Sequence, residues 1–422
     1  MGKNHFLGVF LGEKDCPRQV KGREGLGLKM MLRSVVRRAG VVRAPALARA
    51  LCNTAAKQGK VGILCTNLGT PSDCTPEAVA PYLREFLSDD NVVQQPWPIP
   101  MILANAIAFF RSKKSAEAYS TVWMEGRGSP LLAYSVDFTQ ALREKLEPHG
   151  VPVELAMRYA EPNSESALGK LKEQGCDRIV CLPMYPHETG STTVTAVDAV
   201  KDASKRIGID VDFVPAYWED DRWVECMRAI TGKVIEQRAA EGKPFDHVVF
   251  SFHSVPEQHI RNMEKMLTRL GIPEEERKHR CYHASSIASA HAIAKALHLP
   301  EGTYTISFQS RLGSQKWLGP STAATLKELG EKGVKRLAIL APGFSVDNLE
   351  TLEELRVEGG ETFVEAGGES LELINCANAD PLWVDTGKQP INTHKDTHKT
   401  PINDPVTHVN NPGYLHVLLG RL

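Results

Sequence analysis

The stretch VELAMRYAEPNSESALGKLKEQGCDRIVCLPM, residues 153–184, reads as strand, helix, strand. Val153–Tyr159 and Arg178–Met184 are short apolar runs, and Ser164–Gln174 between them is helical in pattern. Two short strands with one helix between them make a crossover unit, and crossover units build parallel sheets.

The same alternation runs outward in both directions. Upstream, Val61–Leu68 reads as a buried strand ending in a Gly-Thr-Pro turn, Pro76–Leu87 as a helix capped by Thr75, and Leu131–Leu146 as an amphipathic helix. Downstream come a helix at Thr192–Ile207, a strand at Val211–Pro215, a long helix at Asp220–Glu241 and a strand at His247–Phe252. A helix-rich stretch then runs to Leu299. Strands follow at Tyr304–Phe308, Arg336–Ala341 and Leu371–Asn375, with a helix at Thr322–Gly330. The expected fold is α/β, with two Rossmann-like layers of about four parallel strands, each flanked by helices. The expected division is a basic extension at 1–60, a first domain at 61–220, a second at 221–384 and a tail at 385–422. No GxGxxG follows the first strand, so the dinucleotide fingerprint is missing.

Composition narrows the function. A net charge of −1 offers no field to recruit nucleic acid. Nine scattered cysteines without a C-x-x-C pair encode neither a zinc site nor a disulfide framework. Cys376 alone follows Cys281, so no iron–sulfur cluster is expected from the C-terminal region. No apolar run reaches the length that spans a bilayer. The most apolar stretch, PWPIPMILANAIAFF at 96–110, suits a core helix or a greasy lip at a pocket mouth. From Leu28 to Lys60 the chain is basic and lacks acidic residues, the profile of a mitochondrial transit peptide or of a basic arm. The segment from Asp385 is rich in Thr, His, Asn and Pro and has no periodicity, which predicts disorder rather than a metal site at His394 and His398.

Two stretches carry chemistry. In APGFSVDNLETLEELRVE, residues 341–358, Asp347 stands at an N-cap position with Glu350 three residues on. Glu350, Glu354 and Glu358 recur at i, i+4 and i+8, stacking three carboxylates on one face of an α-helix. By itself such a face is either solvated or a ladder that hands a cation inward. In VVFSFHSVP, residues 248–256, an apolar strand delivers His253 at its C-terminal end, where ligands bind in open α/β sheets. A lone histidine there is either packed and hydrogen-bonded or catalytic. A second strand end leading into a Glu ladder favours a joint site.

Together, TNLGTP (66–71), YLREFLSD (82–89), WMEGRGSPL (123–131), MRY (157–159), LPMYP (182–186), SFHSVP (251–256), SFQSRLGSQKWLGP (307–320) and APGFSVDNLETLEEL (341–355) resemble the ferrochelatases, in family order. The likeness covers about 61–380 and is nearest the Gram-negative form. It implies two similar α/β domains with a porphyrin cleft between them. It also implies a lyase that inserts ferrous iron into protoporphyrin IX. Iron would be substrate, with no prosthetic group and no iron–sulfur cluster. The resemblance makes His253 and Glu350 the catalytic pair facing each other across the cleft, with metal contacts at His253, Glu350, Glu354 and Glu358. It places Arg111, Tyr119, Arg158, Trp317, Leu68 and Ser129 against the porphyrin. The 96–110 segment would be the lip, giving peripheral membrane association. The site of action would be the matrix side of the inner mitochondrial membrane if 1–60 is a transit peptide, and the cytoplasm otherwise.

The chain departs from the family at four places: one extra residue in WMEGRGSP, His187, Glu188 and Gly190 after LPMYP, a longer interval from His253 to Gln309, and a likeness that stops near Asp380. The alternatives are a chelatase for another tetrapyrrole or metal, such as coproporphyrin, or a non-catalytic porphyrin carrier.

Overall fold

The computed structural model describes residues 59–94, 98–311 and 315–385. The basic segment up to residue 58, the start of the apolar stretch at 95–97 and the expected tail from 386 lie outside the described residues.

The chain runs β1 (Lys60–Gly69), α1 (Pro76–Leu87), α2 (Ile99–Val122), α3 (Pro130–Leu146), β2 (Val153–Tyr159), α4 (Ser164–Glu173) and β3 (Cys176–Pro183). A π-turn at Gly190–Val194 leads into α5 (Thr195–Ile207), followed by β4 (Asp210–Phe213) and α6 (Asp221–Ala240). Then come β5 (His247–His253), α7 (Glu257–Arg269), α8 (Glu274–Arg280), α9 (Tyr282–Ala296), β6 (Tyr304–Gln309), α10 (Thr322–Glu331) and β7 (Arg336–Leu340). A π-helix at Glu350–Glu358 continues as α11 (Gly359–Glu365), before β8 (Ser370–Ile374) and α12 (Pro381–Val384).

The strands form two four-stranded sheets, ordered β2-β1-β3-β4 and β6-β5-β7-β8. Every pairing is parallel. The order repeats, so β5 stands in the second sheet where β1 stands in the first. Six consecutive residues are buried in each of these central strands. Such runs follow from helices covering both faces of a parallel sheet. The α/β architecture with two parallel sheets is therefore present as the sequence predicts.

One core joins the two sheets. Ile63, Val153 and Val180 belong to the same buried cluster as Val248, Phe250 and Ala338. Trp383 of α12 packs edge-on to Trp223 of α6 at 4.8 Å and stacks on Phe138 of α3 at 5.9 Å. The last described turn thus closes back onto the first half of the chain.

The turn after β1 requires glycine. Gly69 has φ +108°, and a Cβ there would sit 1.9 Å from the Tyr159 carbonyl oxygen. No L side chain fits, so TNLGTP can end β1 against β2 only with glycine at that position.

Helix α2 inverts the usual pattern. Its inward residues are small, with Ala104, Ala108, Ser112 and Ala116 buried at every fourth position. Its large apolar residues face solvent instead: Ile102 is 60% exposed, Phe109 75% and Phe110 78%. The expected choice between core helix and greasy lip resolves to an exposed apolar face.

Candidate active site

His253 closes β5 directly opposite Gln309 of β6. Its Nδ1 donates to the Ser254 carbonyl at 2.7 Å. A carbonyl only accepts, so Nδ1 carries the proton and Nε2 keeps the lone pair in the neutral ring. The Tyr282 hydroxyl donates to the His253 carbonyl at 2.7 Å, and the Phe344 ring stands edge-on to the imidazole at 6.5 Å. The strand end is tied further. Ser254 N donates to Gln309 O at 2.7 Å, Ser254 Oγ donates to Leu318 O at 3.0 Å, and Pro256 bridges to Trp317. His253 is held from every backbone direction, which fixes where its free nitrogen points.

The acidic ladder is built on a π-helix, and this corrects the α-helical expectation. A π-turn takes in more residues than an α-turn, so side chains four apart fall short of a full turn instead of overshooting it. The carboxylates remain near one another but differ in environment. Glu350, Glu353 and Glu354 are half-buried, and Glu358 is exposed.

Glu354 accepts the Ser310 backbone N–H at 2.8 Å, and the Ser310 hydroxyl as well. Ser310 follows β6 with a left-handed φ of 63°, which turns its N–H toward the ladder. Burial pushes the Glu354 carboxyl above the ordinary range. The Ser310 bonds and the nearby His253 imidazole pull against this, while Glu350 adds to it. Glu353 is pushed up to about 7, by burial first and then by Glu358 and Glu354, with Lys114 of α2 opposing.

Asp347 is not the helix cap that the sequence suggests. It is 1% exposed, and its carboxylate accepts from Cys376 N, from Asn378 Nδ2 at 2.7 Å and from Thr351 Oγ1 at 3.0 Å. It therefore pins the start of the π-helix to the loop after β8. The capping is done one residue later. Asn348 Oδ1 accepts from Thr351 N at 3.1 Å, and Thr351 Oγ1 accepts from Asn348 N at 3.0 Å, a reciprocal box. Asp and Asn are adjacent in the sequence, and a threonine can close a box as a glutamate does, so spacing alone selected the wrong residue.

Leu349, just before the ladder, packs against Val79, Ala116 and Tyr119 of α1 and α2. This brings Glu350 beside a group of hydroxyls. Tyr119 is buried, its phenol engages Thr70 and Tyr82, and burial together with the Glu350 charge pushes it up. Thr70 Oγ1 donates to Ser129 Oγ at 2.8 Å, so Tyr119 and Ser129 join one network opposite Glu350. Leu68 is half-buried at the end of β1, and Trp317 is half-buried in the loop tied to β5.

The two arginines differ. Arg111 is exposed on α2, beside Phe110. Arg158 is matched within the protein: Nη2 meets Asp89 at 2.5 Å, and Nε donates to Thr195 Oγ1 at 2.6 Å. Tyr159 also donates to Asp89, at 3.0 Å. Burial works against ionising Asp89, but the Thr195 hydroxyl, the Asn91 backbone N–H, the Arg158 charge and the Tyr159 hydroxyl hold its carboxyl below the ordinary value.

The structure therefore brings His253, Glu350, Glu354, Tyr119 and Ser129 into one neighbourhood, sets Glu358 at its solvent end, and commits Arg158 to Asp89. Sequence reasoning assigned no part to Ser310, Gln309 or Glu353. Ser310 and Gln309 lie within the FQSR run at a strand end, and that position was the available signal. Among the described residues, no three His, Cys, Asp or Glu side chains gather closely enough to hold a metal unaided.

The model of the ferrochelatase family matches residues 60–395, beyond the expected end near Asp380. A ferrochelatase of Pseudomonas aeruginosa (strain LESB58) is 39% identical over 330 residues, covering 76% of this chain and 94% of the relative. A ferrochelatase of Pseudomonas fluorescens is 38% identical over 329 residues, covering 76% and 94%. One from Pseudomonas syringae pv. tomato is 37% identical over 330 residues, with the same coverage. With the strand-end histidine, the acidic π-helix and this span of matched sequence, the chain belongs to the ferrochelatase family.

Proposed function

We propose that this protein inserts ferrous iron into protoporphyrin IX, releasing two protons, as a step of haem biosynthesis. The observation that carries the reading is His253 at the end of β5, its Nδ1 bound to the Ser254 carbonyl, with Glu354 tied to the neighbouring strand end through Ser310. Metallation has to strip water from the cation and remove two pyrrole protons. An imidazole whose Nε2 keeps its lone pair is suited to accept a pyrrole proton directly. Glu350 brings the cation to the macrocycle, whose four nitrogens complete its ligand set. Glu354 and Glu358 lead outward from buried to exposed, so the ladder carries metal in or protons out.

Trp317, Leu68 and Tyr119 supply apolar and aromatic wall, and Ser129 belongs to the hydroxyl network behind it. A shaped wall can bend the macrocycle by about 1–5 kcal/mol, drawn from contacts remote from the metal. Arg111 holds a propionate by a charge-assisted hydrogen bond. Arg158 supports the wall through Asp89 rather than reaching for ligand.

Iron enters as substrate, and no prosthetic group or iron–sulfur cluster takes part. No helix among the described residues is long and apolar enough to cross a membrane. The exposed face of α2 seats the protein on a lipid surface peripherally. If the basic segment 1–60 is a transit peptide the protein works on the mitochondrial matrix side, and otherwise in the cytoplasm.

The test is an anaerobic spectrophotometric assay with ferrous iron, run in parallel on protoporphyrin and coproporphyrin. Faster metallation of protoporphyrin is expected. Preference for coproporphyrin would replace the substrate, and porphyrin binding without any iron-dependent spectral change would mean a carrier. His253→Ala is expected to abolish metallation while porphyrin fluorescence quenching on binding persists. Near-normal turnover in that variant would refute the role of the imidazole.

A further inference from the structure

Gln309 is the last residue of β6 and stands in register with His253 on β5. Three contacts tie it. Its backbone carbonyl accepts from Ser254 N at 2.7 Å, its Oε1 accepts from Ser251 Oγ at 2.6 Å, and its Nε2 donates to the backbone carbonyl of Glu350 at 3.5 Å. This one side chain therefore bridges the strand that carries His253 and the first residue of the acidic π-helix.

Behind it lies a row of hydroxyls. Ser251 Oγ is 2.8 Å from Thr322 Oγ1 at the start of α10, and Thr322 Oγ1 is 2.9 Å from Ser307 Oγ on β6. Ser251, Ser307, Gln309 and Thr322 are each at most 3% exposed, so these bonds form away from water.

One group sets all the proton positions. The Glu350 carbonyl can only accept, so the amide turns its NH2 toward it and its oxygen toward Ser251. Ser251 spends its proton on that oxygen and has to accept from Thr322, which in turn accepts from Ser307. The chain runs one way, from Ser307 through Thr322, Ser251 and Gln309 to Glu350, and each donor is strengthened by the bond it accepts. The link to Glu350 is the longest, at 3.5 Å, and so depends most on how the amide is held from its other side.

We propose, on the reading of His253 and Glu350 as the working pair, that Gln309 is a positioning residue: its amide couples the strand end of the histidine to the head of the π-helix and sets where Glu350 stands relative to the imidazole. The buried hydroxyls of Ser251, Thr322 and Ser307 hold the amide in the orientation that does this.

Gln309→Met keeps the length of the side chain and removes both of its hydrogen bonds. Hydrogen–deuterium exchange of the full chain reads the positioning without any substrate. Peptides covering 350–358 are expected to exchange about tenfold faster, with those of β5 and β7 unchanged. In anaerobic metallation, kcat is expected to fall about tenfold while the porphyrin KM stays within about twofold. Combined with Glu350→Gln, the same change is expected to cost less than about twofold more, because its effect passes through Glu350. Ser251→Ala frees the amide oxygen with a smaller change in packing. It is expected to shift exchange and kcat in the same direction by about threefold, and it carries the test if the methionine variant does not fold. Unchanged exchange at 350–358, faster exchange across the whole second sheet, or a full tenfold loss added to that of Glu350→Gln would each overturn the proposal. A parent protein that binds porphyrin without metallating it would refute the function instead, and the exchange result would still decide the coupling.

Discussion

Ser310 and Glu354 are joined twice: the backbone N–H and the hydroxyl of the serine both donate to the one carboxylate. The serine directly follows β6 and the glutamate sits mid-way along the π-helix. The pair therefore locks the acidic ladder to the sheet that carries His253.

Removing the hydroxyl tests that lock. Ser310→Ala keeps the backbone bond and deletes a hydrogen bond to a charged group, a contact worth about 1.5–3 kcal/mol. Glu354 then samples other rotamers, and the ladder loses its fixed geometry. Turnover is expected to fall about tenfold with the porphyrin KM little changed. A raised porphyrin KM with turnover unchanged would place Ser310 in porphyrin binding instead.

The two carboxylates nearest His253 should not be equivalent. Glu350 lies beside the Tyr119 network at the head of the π-helix, and Glu354 one turn further along. If metal or protons pass along the ladder toward the macrocycle, losing the inner acid costs more than losing the relay behind it. Glu350→Gln is expected to lower kcat about 10²–10⁴-fold, the range of a positioned acid–base group. Glu354→Gln is expected to lower it less. The reverse order in steady-state metallation kinetics would argue against an inward relay.

Much of this site was legible because strand ends are. Val248–Phe252 is apolar but for Ser251 and His253 ends it, so a histidine at a strand end needed no tertiary information. The crossover rhythm around residues 153–184 likewise depends on local pattern alone. The errors arose where a long-range partner decides the outcome. Asp347 has cap spacing, but Cys376 and Asn378, about thirty residues on, claim its oxygens. For Arg158, what the sequence does not display is its partner, Asp89, 69 residues earlier. The π-helix has the same Glu spacing as an α-helix would, so periodicity could not separate the two. In α2 the small residues pack inward and the phenylalanines outward, the opposite of what hydrophobicity predicts.

His187 makes the fold sensitive to acid. It is 2% exposed among the rings of Phe252, Tyr282 and Trp218, and neither ring nitrogen makes a hydrogen bond of normal geometry. Burial pushes its pKa from 6.5 down to about 3, the Ser285 backbone offsetting this only in part. Between those values the unfolded chain binds a proton that the native state refuses, so stability falls as pH drops below 6.5. By pH 5 the loss from this one group is about 2 kcal/mol, at 1.36 kcal/mol per unit. His187→Phe keeps the ring packing and removes the proton site. Urea midpoints measured from pH 7.5 to 5 should drop less steeply in the variant than in the parent. Parallel slopes would show that His187 is not the group responsible.

The proposed seat on lipid through the outward face of α2 can be tested directly. Phe109 and Phe110 touch edge-on at 5.1 Å and are 75% and 78% exposed. Arg111, Lys113 and Lys114 follow them directly. Aromatic side chains inserted at a headgroup boundary, with cations beside them to meet anionic lipid, are the features of an interfacial helix rather than a spanning one. The double variant Phe109→Ser, Phe110→Ser should therefore lose most of its co-sedimentation with vesicles containing anionic lipid. Its melting temperature should stay close to that of the parent, because both side chains contribute little to the core. Charge reversal at Lys113 and Lys114 should weaken binding to anionic vesicles and leave binding to neutral ones unchanged. If the serine variant sediments with vesicles as the parent does, the apolar face serves the porphyrin entrance alone, and the membrane seat must be sought on another surface.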